Sequence, residues 1–255
     1  MTQYEKQEAA CGTESRRRVA LVTGASRGIG AQVARELGAR GLHVVINYRE
    51  KAKRAWAVVD EIRAAGGHAT AIGADVCENT QVQALLATIN HRFGVLDVLV
   101  LNASGGLERG ADSGYAMRLN RDAQCELVTR ALPQMPAGAR IVFVTSHQAH
   151  FSPGRPVPAG YEPIAASKRA GEDALLAVKP ALAERGIALK VVSGDMIDGT
   201  IIVRLLHRKD PAAVEARRDH GPLPTVEEFA TAIADAALQP DVADTTFVGG
   251  ADYRW

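Results

Sequence analysis

The chain has 255 residues, of which 47% are hydrophobic and 23% charged, with a formal net charge of +1. This composition excludes a disordered chain, and the near-neutral balance excludes a strongly basic nucleic-acid-binding surface or a polybasic membrane surface. Cys11, Cys77 and Cys125 are widely spaced with no CxxC pair, so neither a disulfide framework nor a metal site is expected, and they read as free thiols in a reducing cytoplasm.

Residues 1–15 are polar, carry Glu5, Lys6, Glu8 and Glu14, and lack the apolar stretch of a signal peptide; they read as a flexible leader. No apolar run approaches the length of a membrane span. From 16 to 255 the chain reads as one domain. Apolar runs predict strands at 18–23, 42–47, 68–72, 96–101 and 140–145. Amphipathic stretches predict helices at 28–40, 51–65, 79–93 and 113–135 between them. The second half continues the alternation with a helix over 163–184, a strand over 187–192, a helix over 225–238 and a short strand over 245–248. Alternation of this kind implies a parallel sheet covered on both faces by helices, wound by right-handed crossovers into a single doubly wound α/β fold of Rossmann type. Prolines and glycines over 149–163 mark a rigid irregular loop, and the charged, proline-interrupted stretch 198–224 reads as a mobile substrate cover.

The first strand-to-helix junction reads Thr23-Gly24-Ala25-Ser26-Arg27-Gly28-Ile29-Gly30. Glycines here let the backbone turn sharply and approach a pyrophosphate, which sits on the unpaired N–H groups and positive dipole end of the helix. After the second strand, Asn47-Tyr48-Arg49 offers no carboxylate for the ribose hydroxyls of NAD. Arg49 and Arg27 instead carry guanidinium groups suited to a 2′-phosphate, which favours NADP(H).

The GxxxGxG spacing resembles the glycine turn of the short-chain dehydrogenase/reductase family. Asp75, Asn102-Ala103, Asn120, Ser146 and Lys168 then follow in the family's order. The resemblance implies that Asp75-Val76 meets the adenine and that Asn102-Ala103-Ser104 lines the cofactor site. It also implies that Asn120 orders a water, that Ser146 holds the substrate carbonyl, and that Lys168 holds the nicotinamide ribose. Ile197 and Thr200 correspond to the segment that touches the carboxamide and phosphates, although Ser193 stands where a proline is usual and Asp195 is an unusual charge there. Asp195 can equally serve as an N-cap.

The family's tyrosine lies four residues before its lysine, and here that place is Ile164, which can neither donate a proton nor bear charge. Tyr161 is seven residues before Lys168, about 10.5 Å along a regular helix, and reads either as a displaced acid or as an aromatic that packs the loop. His147 and His150 read as surface residues of a turn. An ordered water or the substrate's own hydroxyl is a further proton source. Gly171, Ala174 and Ala177 form a small-residue helix surface for the sheet or for a partner subunit.

These features point to an NADPH-dependent ketoreductase acting on a bulky, largely apolar ketone, and they loosely resemble the tailoring reductases of aromatic polyketide pathways. A 3-oxoacyl or small-alcohol reductase and a noncatalytic NADP-binding sensor are the alternatives. Family resemblance further implies a homodimer or homotetramer, with no nucleic-acid or membrane partner.

Overall fold

The structure is a computed structural model that describes residues 16–106, 112, 114–155, 157, 158 and 160–250. The expected leader, Cys11 and most of the 104–114 loop lie outside the described residues. Seven parallel strands form one sheet in the order β3-β2-β1-β4-β5-β6-β7: β1 (Val19–Val22), β2 (His43–Tyr48), β3 (His68–Gly73), β4 (Val98–Leu101), β5 (Arg140–Ser146), β6 (Ala188–Gly194) and β7 (Thr245–Val248). The order reverses between β1 and β4, so a crevice opens at the carboxyl ends of those strands.

Strand residues alternate between two cores. Ala20, Val22, Val44 and Ile46 face α1 (Gly28–Ala39), α2 (Ala52–Ala64) and the last helix, which contributes Phe229 and Ile233. Val19, Leu21, Val45 and Leu99 face the opposite layer, where α3 (Asn79–Phe93) presents Val82, Leu85 and Ile89. Both faces of the sheet are therefore dry, which is why its strands read as continuous apolar runs.

The helix expected over 113–135 is not one regular helix. Called α4 here, it opens as a single α turn (Tyr115–Met117), widens into a π turn (Arg118–Asp122), returns to α geometry (Ala123–Ala131) and ends in a 3-10 turn (Leu132–Gln134). The π turn pushes the Asn120 carbonyl against Gly171, where any side chain would collide with it. The glycine surface seen in the sequence thus packs on α4.

A short helix, α5 (His147–His150), follows β5 directly, and α6 (Glu162–Glu184) begins at Tyr161 with Pro163 in its first turn. The expected cover is helical: α7 (Ile201–Lys209) and α8 (Pro211–Arg218), each started by a capping side chain, Thr200 and Asp210 respectively. Here Pro211 and the charged residues open and face helices rather than interrupt them. The last helix, α9 (Val226–Leu238), carries a capping box of Thr225 and Glu228. Under the cover, Tyr161, Ile164, Met196, Val203, Leu206 and Val214 form a third apolar cluster. Among the described residues no helix is long and apolar enough to cross a membrane.

Candidate active site

A cleft of about 740 Å³ runs along the carboxyl edge of the sheet, from the glycine turn to the cover. Its floor is the turn itself. Gly24 has φ +63° and Gly28 φ +56°, a region that disfavours side chains, while a Cβ on Gly30 would lie 2.5 Å from Asn102 Nδ2. The amide of Asn102 donates to the Thr23 carbonyl at 2.8 Å, and the Asn102 and Ala103 N–H groups both donate to Thr23 Oγ1 at 3.0 Å. The end of β4 is thereby fastened to the turn, leaving the N–H groups at the start of α1 facing the cleft.

Asn47 does not project into the cleft as a ribose ligand would. It is 2% exposed, its Nδ2 donates to the Ala74 carbonyl at 3.0 Å, and its Oδ1 accepts from Gly24 N–H at 3.4 Å, so it ties β2, β3 and the turn together. Asp75 accepts from Cys77 N–H at 2.9 Å and lies on the cleft wall beside Val76. Tyr48 packs against Gly73.

The far end of the cleft is basic. Arg27 occupies the N-cap position of α1, is exposed, and its guanidinium has no protein partner among the described residues. Arg49 donates to the Tyr115 hydroxyl at 2.5 Å and pairs with Glu50 at 3.1 Å. Lys51 and Arg54 add positive field on the same wall. This donor set suits a phosphorylated, elongated anion: unpaired N–H groups at the centre, guanidinium groups at one end and an apolar chamber at the other.

At the chamber, Ser146 ends β5 and Tyr161 sits at the helix-capping position of α6, 4% exposed. Because residue 161 precedes the first helical turn, its ring is not carried round with the helix and turns back to Ser146. The hydroxyls face each other without closing a hydrogen bond of normal geometry, and Ser146 Oγ has no other partner. Burial pushes the Tyr161 phenol above its ordinary range, and the Ser146 hydroxyl opposes that shift. Lys168 Nζ donates to the Val144 carbonyl at 3.3 Å; burial lowers its pKa to about 8, with Glu172 acting in the opposite direction. Ile164 is buried and packs against Gly106.

Asn120 spends its side chain on structure. Its Nδ2 donates to the Gly105 carbonyl at 3.0 Å and to Ser167 Oγ at 2.9 Å, and its Oδ1 accepts from Gly105 N–H at 3.2 Å. Ile197 is buried, and Thr200 lines the cleft with its hydroxyl engaged, donating to the Ile197 carbonyl at 2.7 Å while capping α7. Ser26, Ile29 and Ser104 also line the cleft.

Three expectations from sequence are corrected. His147 is fully buried rather than on the surface; its Nδ1 is 2.8 Å from Ser193 Oγ, and burial lowers its pKa to about 4. His150 is 19% exposed and lies 2.5 Å from the carboxylate of Glu172, a buried acid that went unnoticed in the sequence. Asp195 does not cap a helix: its Oδ2 accepts from Arg217 Nε at 2.5 Å and its Oδ1 from Met196 N–H at 2.7 Å. Arg217, also missed, is 4% exposed and anchors α8 to the end of β6. A charge on an otherwise apolar helix face is the signal that could have found Glu172.

A nucleotide-shaped cleft at the strand-order reversal, with a serine, a tyrosine and a lysine gathered at one end, defines a dinucleotide-dependent oxidoreductase of the doubly wound class. Residues 18–210 match the family model for short chain dehydrogenase, and the chain belongs to that family. It is 31% identical to a short chain dehydrogenase from Burkholderia cenocepacia solved in complex with NADP, with a TM-score of 0.78 over 92% of this chain and 98% of that one. The landomycin C-6 ketoreductase LanV, solved with bound NADP and rabelomycin, is 27% identical with a TM-score of 0.76, covering 91% of this chain and 95% of that one. A hydroxynaphthalene reductase-like protein of Metarhizium robertsii is 40% identical over 141 residues, 53% of each chain. The matched region spans about half the length of the curated relatives.

Proposed function

We propose that the chain is an NADPH-dependent ketoreductase for a bulky ketone of aromatic polyketide type. The observation that carries this reading is the meeting of the Tyr161 phenol with the partnerless Ser146 hydroxyl at the apolar end of the cleft. The names of the relatives, a hydroxynaphthalene reductase-like protein and an angucycline C-6 ketoreductase, support the substrate class.

The backbone of Gly24, Ser26, Gly28, Ile29 and Gly30 would hold the pyrophosphate. Arg27 and Arg49 would hold the 2′-phosphate, with Asn47 and Tyr48 shaping that end. Asp75 and Val76 would bound the adenine, Asn102, Ala103 and Ser104 the middle, Lys168 the nicotinamide ribose, and Ile197 with Thr200 the nicotinamide. When bound, the cofactor supplies a hydride equivalent to the carbonyl carbon. Ser146 Oγ–H donates to the substrate oxygen and fixes it, and the Tyr161 phenol, kept protonated by burial, delivers the proton to that oxygen. The Lys168 ammonium stabilises negative charge there. Asn120 holds α4, the 102–105 segment and α6 in register and thereby keeps Lys168 in place.

On this reading the active site lacks a tyrosine one turn before Lys168. Ile164 instead makes an apolar wall together with Met196, Ile202 and Leu206, which favours a fused-ring ketone over a small alcohol. We also place 16–255 in one cytoplasmic domain, with 198–224 as its cover, assembling as a homodimer or homotetramer.

The test is NADPH oxidation across a panel of polycyclic aromatic ketones, acyl thioesters and small ketones, with Ser146→Ala as control. Turnover confined to polycyclic ketones and lost in the variant is expected. Preference for acyl thioesters would replace the substrate class, and NADPH binding without any turnover would make the protein a sensor.

A further inference from the structure

We infer that Glu172, held by His150, is a positioning residue for Lys168: a buried counter-charge that keeps the Lys168 ammonium protonated beneath the cleft. The inference rests on the reading above only in giving Lys168 a role in ketone reduction.

Ile164, Ala165, Gly171 and Leu175 define the buried face of α6, and Glu172 lies on it with no solvent exposure. An isolated carboxylate in such a place is strongly disfavoured, so it must find compensation. Its Oε1 meets His150 Nδ1 at 2.5 Å, while its Oε2 has no hydrogen-bond partner. Four residues separate Glu172 from Lys168, which places the two on the same side of adjoining helical turns. Lys168 makes its hydrogen bond to the Val144 carbonyl and no direct ion pair with Glu172, so the carboxylate acts on it through space in a weakly screening interior.

The other charges around this point are already matched. On α6 itself Arg169 pairs with Asp173. From α4, Arg121 pairs with Asp122 and Arg130 with Glu126, and the Tyr115 hydroxyl is held by Arg49. From the β6 side, Asp195 is neutralised by Arg217, and Lys190 shares Asp244 with Lys179 of α6. Arg140 on β5 is hydrogen-bonded to the Ala236 carbonyl. His147 on α5 is kept uncharged by burial. Among the described residues that leaves the Glu172–His150 pair as the charged group bearing on Lys168, since burial keeps the Tyr161 phenol neutral.

Glu172→Gln keeps the shape and the contact with His150 but removes the charge. Competitive acetylation with trace acetic anhydride, read by peptide mass as a function of pH, reports the free-amine fraction of Lys168 without requiring turnover. The expected result is a Lys168 midpoint lowered by about one pH unit or more, a tenfold change in proton affinity per unit. Lys190 should be unmoved as an internal reference, and Glu172→Asp should recover part of the shift. Should Glu172→Gln fail to fold, Glu172→Asp alone should lower the midpoint by a smaller amount, because its shorter side chain holds the carboxylate farther from Lys168. A midpoint unchanged in folded protein overturns the inference, even if ketone reduction is seen. A lowered midpoint in a chain that reduces no ketone would retain it and remove the proposed reaction instead.

Discussion

Ser146 and Tyr161 reach the same point from opposite ends of the segment between β5 and α6, one from the last residue of β5 and the other from the cap of α6. On the proposed mechanism, a displacement of three residues from the family's usual tyrosine would be absorbed because residue 161 lies at the helix cap and its ring turns back to Ser146. Tyr161→Phe is therefore expected to lower kcat by roughly 100-fold or more, the range for loss of a positioned proton donor. The KM for NADPH should hardly change. Near-normal kcat in this variant would remove Tyr161 from the mechanism.

Lys168 titrates at about 8 because burial disfavours its charge. Ketone reduction should accordingly fall as pH rises through about 8, as the ammonium is lost, in the kcat/KM profile of the free enzyme. Lys168→Arg, whose guanidinium stays charged, should flatten that limb while lowering the rate. A profile level to pH 9.5 in the unaltered protein would contradict the assignment.

Arg27 and Arg49 bound the end of the cleft where a 2′-phosphate would sit. Replacing either with alanine should raise the Kd for NADPH by about 10- to 100-fold, the worth of a charge-assisted hydrogen bond. NADH binding should be nearly unaffected. The larger effect is expected at Arg27, since Arg49 already leans on Tyr115 and Glu50. Equal losses for both nucleotides, measured by fluorescence titration, would place these arginines elsewhere on the ligand.

The Asp195–Arg217 pair is buried on both sides. Arg217→Ala strands a carboxylate in the interior and should cost about 3–5 kcal/mol. That corresponds to a Tm lower by roughly 10 °C. The double variant Asp195→Asn/Arg217→Met should be milder than the single one, and calorimetry distinguishes the two. A single variant that melts like the parent would show that α8 needs no such anchor.

His147 carries a pKa near 4 against about 6.5 when unfolded. Between these values the unfolded chain binds a proton that the folded chain refuses. Stability is therefore fully present above about pH 6.5 and declines as pH falls toward 4, by roughly 3 kcal/mol for this group. His147→Gln should reduce the slope of denaturation midpoint against pH in that window. An unchanged slope would assign the acid sensitivity to other groups.

The strands were legible because a sheet buried on both faces needs unbroken apolar runs, and Val19–Val22 or Ile141–Val144 offer little else. The glycine turn was legible because only glycine tolerates its backbone. The helices of the cover were not: α7 is only nine residues long, and Pro211 falls at the start of α8, where it reads as a break. The π turn at Asn120 escaped because it covers only Arg118–Asp122, too short a stretch for its shift of the apolar stripe to stand out from ordinary helical spacing. Arg217 and His150 found their acidic partners only through the tertiary fold, across 22 residues in each case.

The lattice of amides around Thr23, Asn47 and Asn102 has a thermodynamic corollary. A receiving surface already frozen by its own side chains has little loop entropy left to surrender when a nucleotide arrives, so most of the contact enthalpy should survive as affinity. The heat capacity change of nucleotide association should then reflect burial of the ligand alone, with no added signature of ordering in the turn.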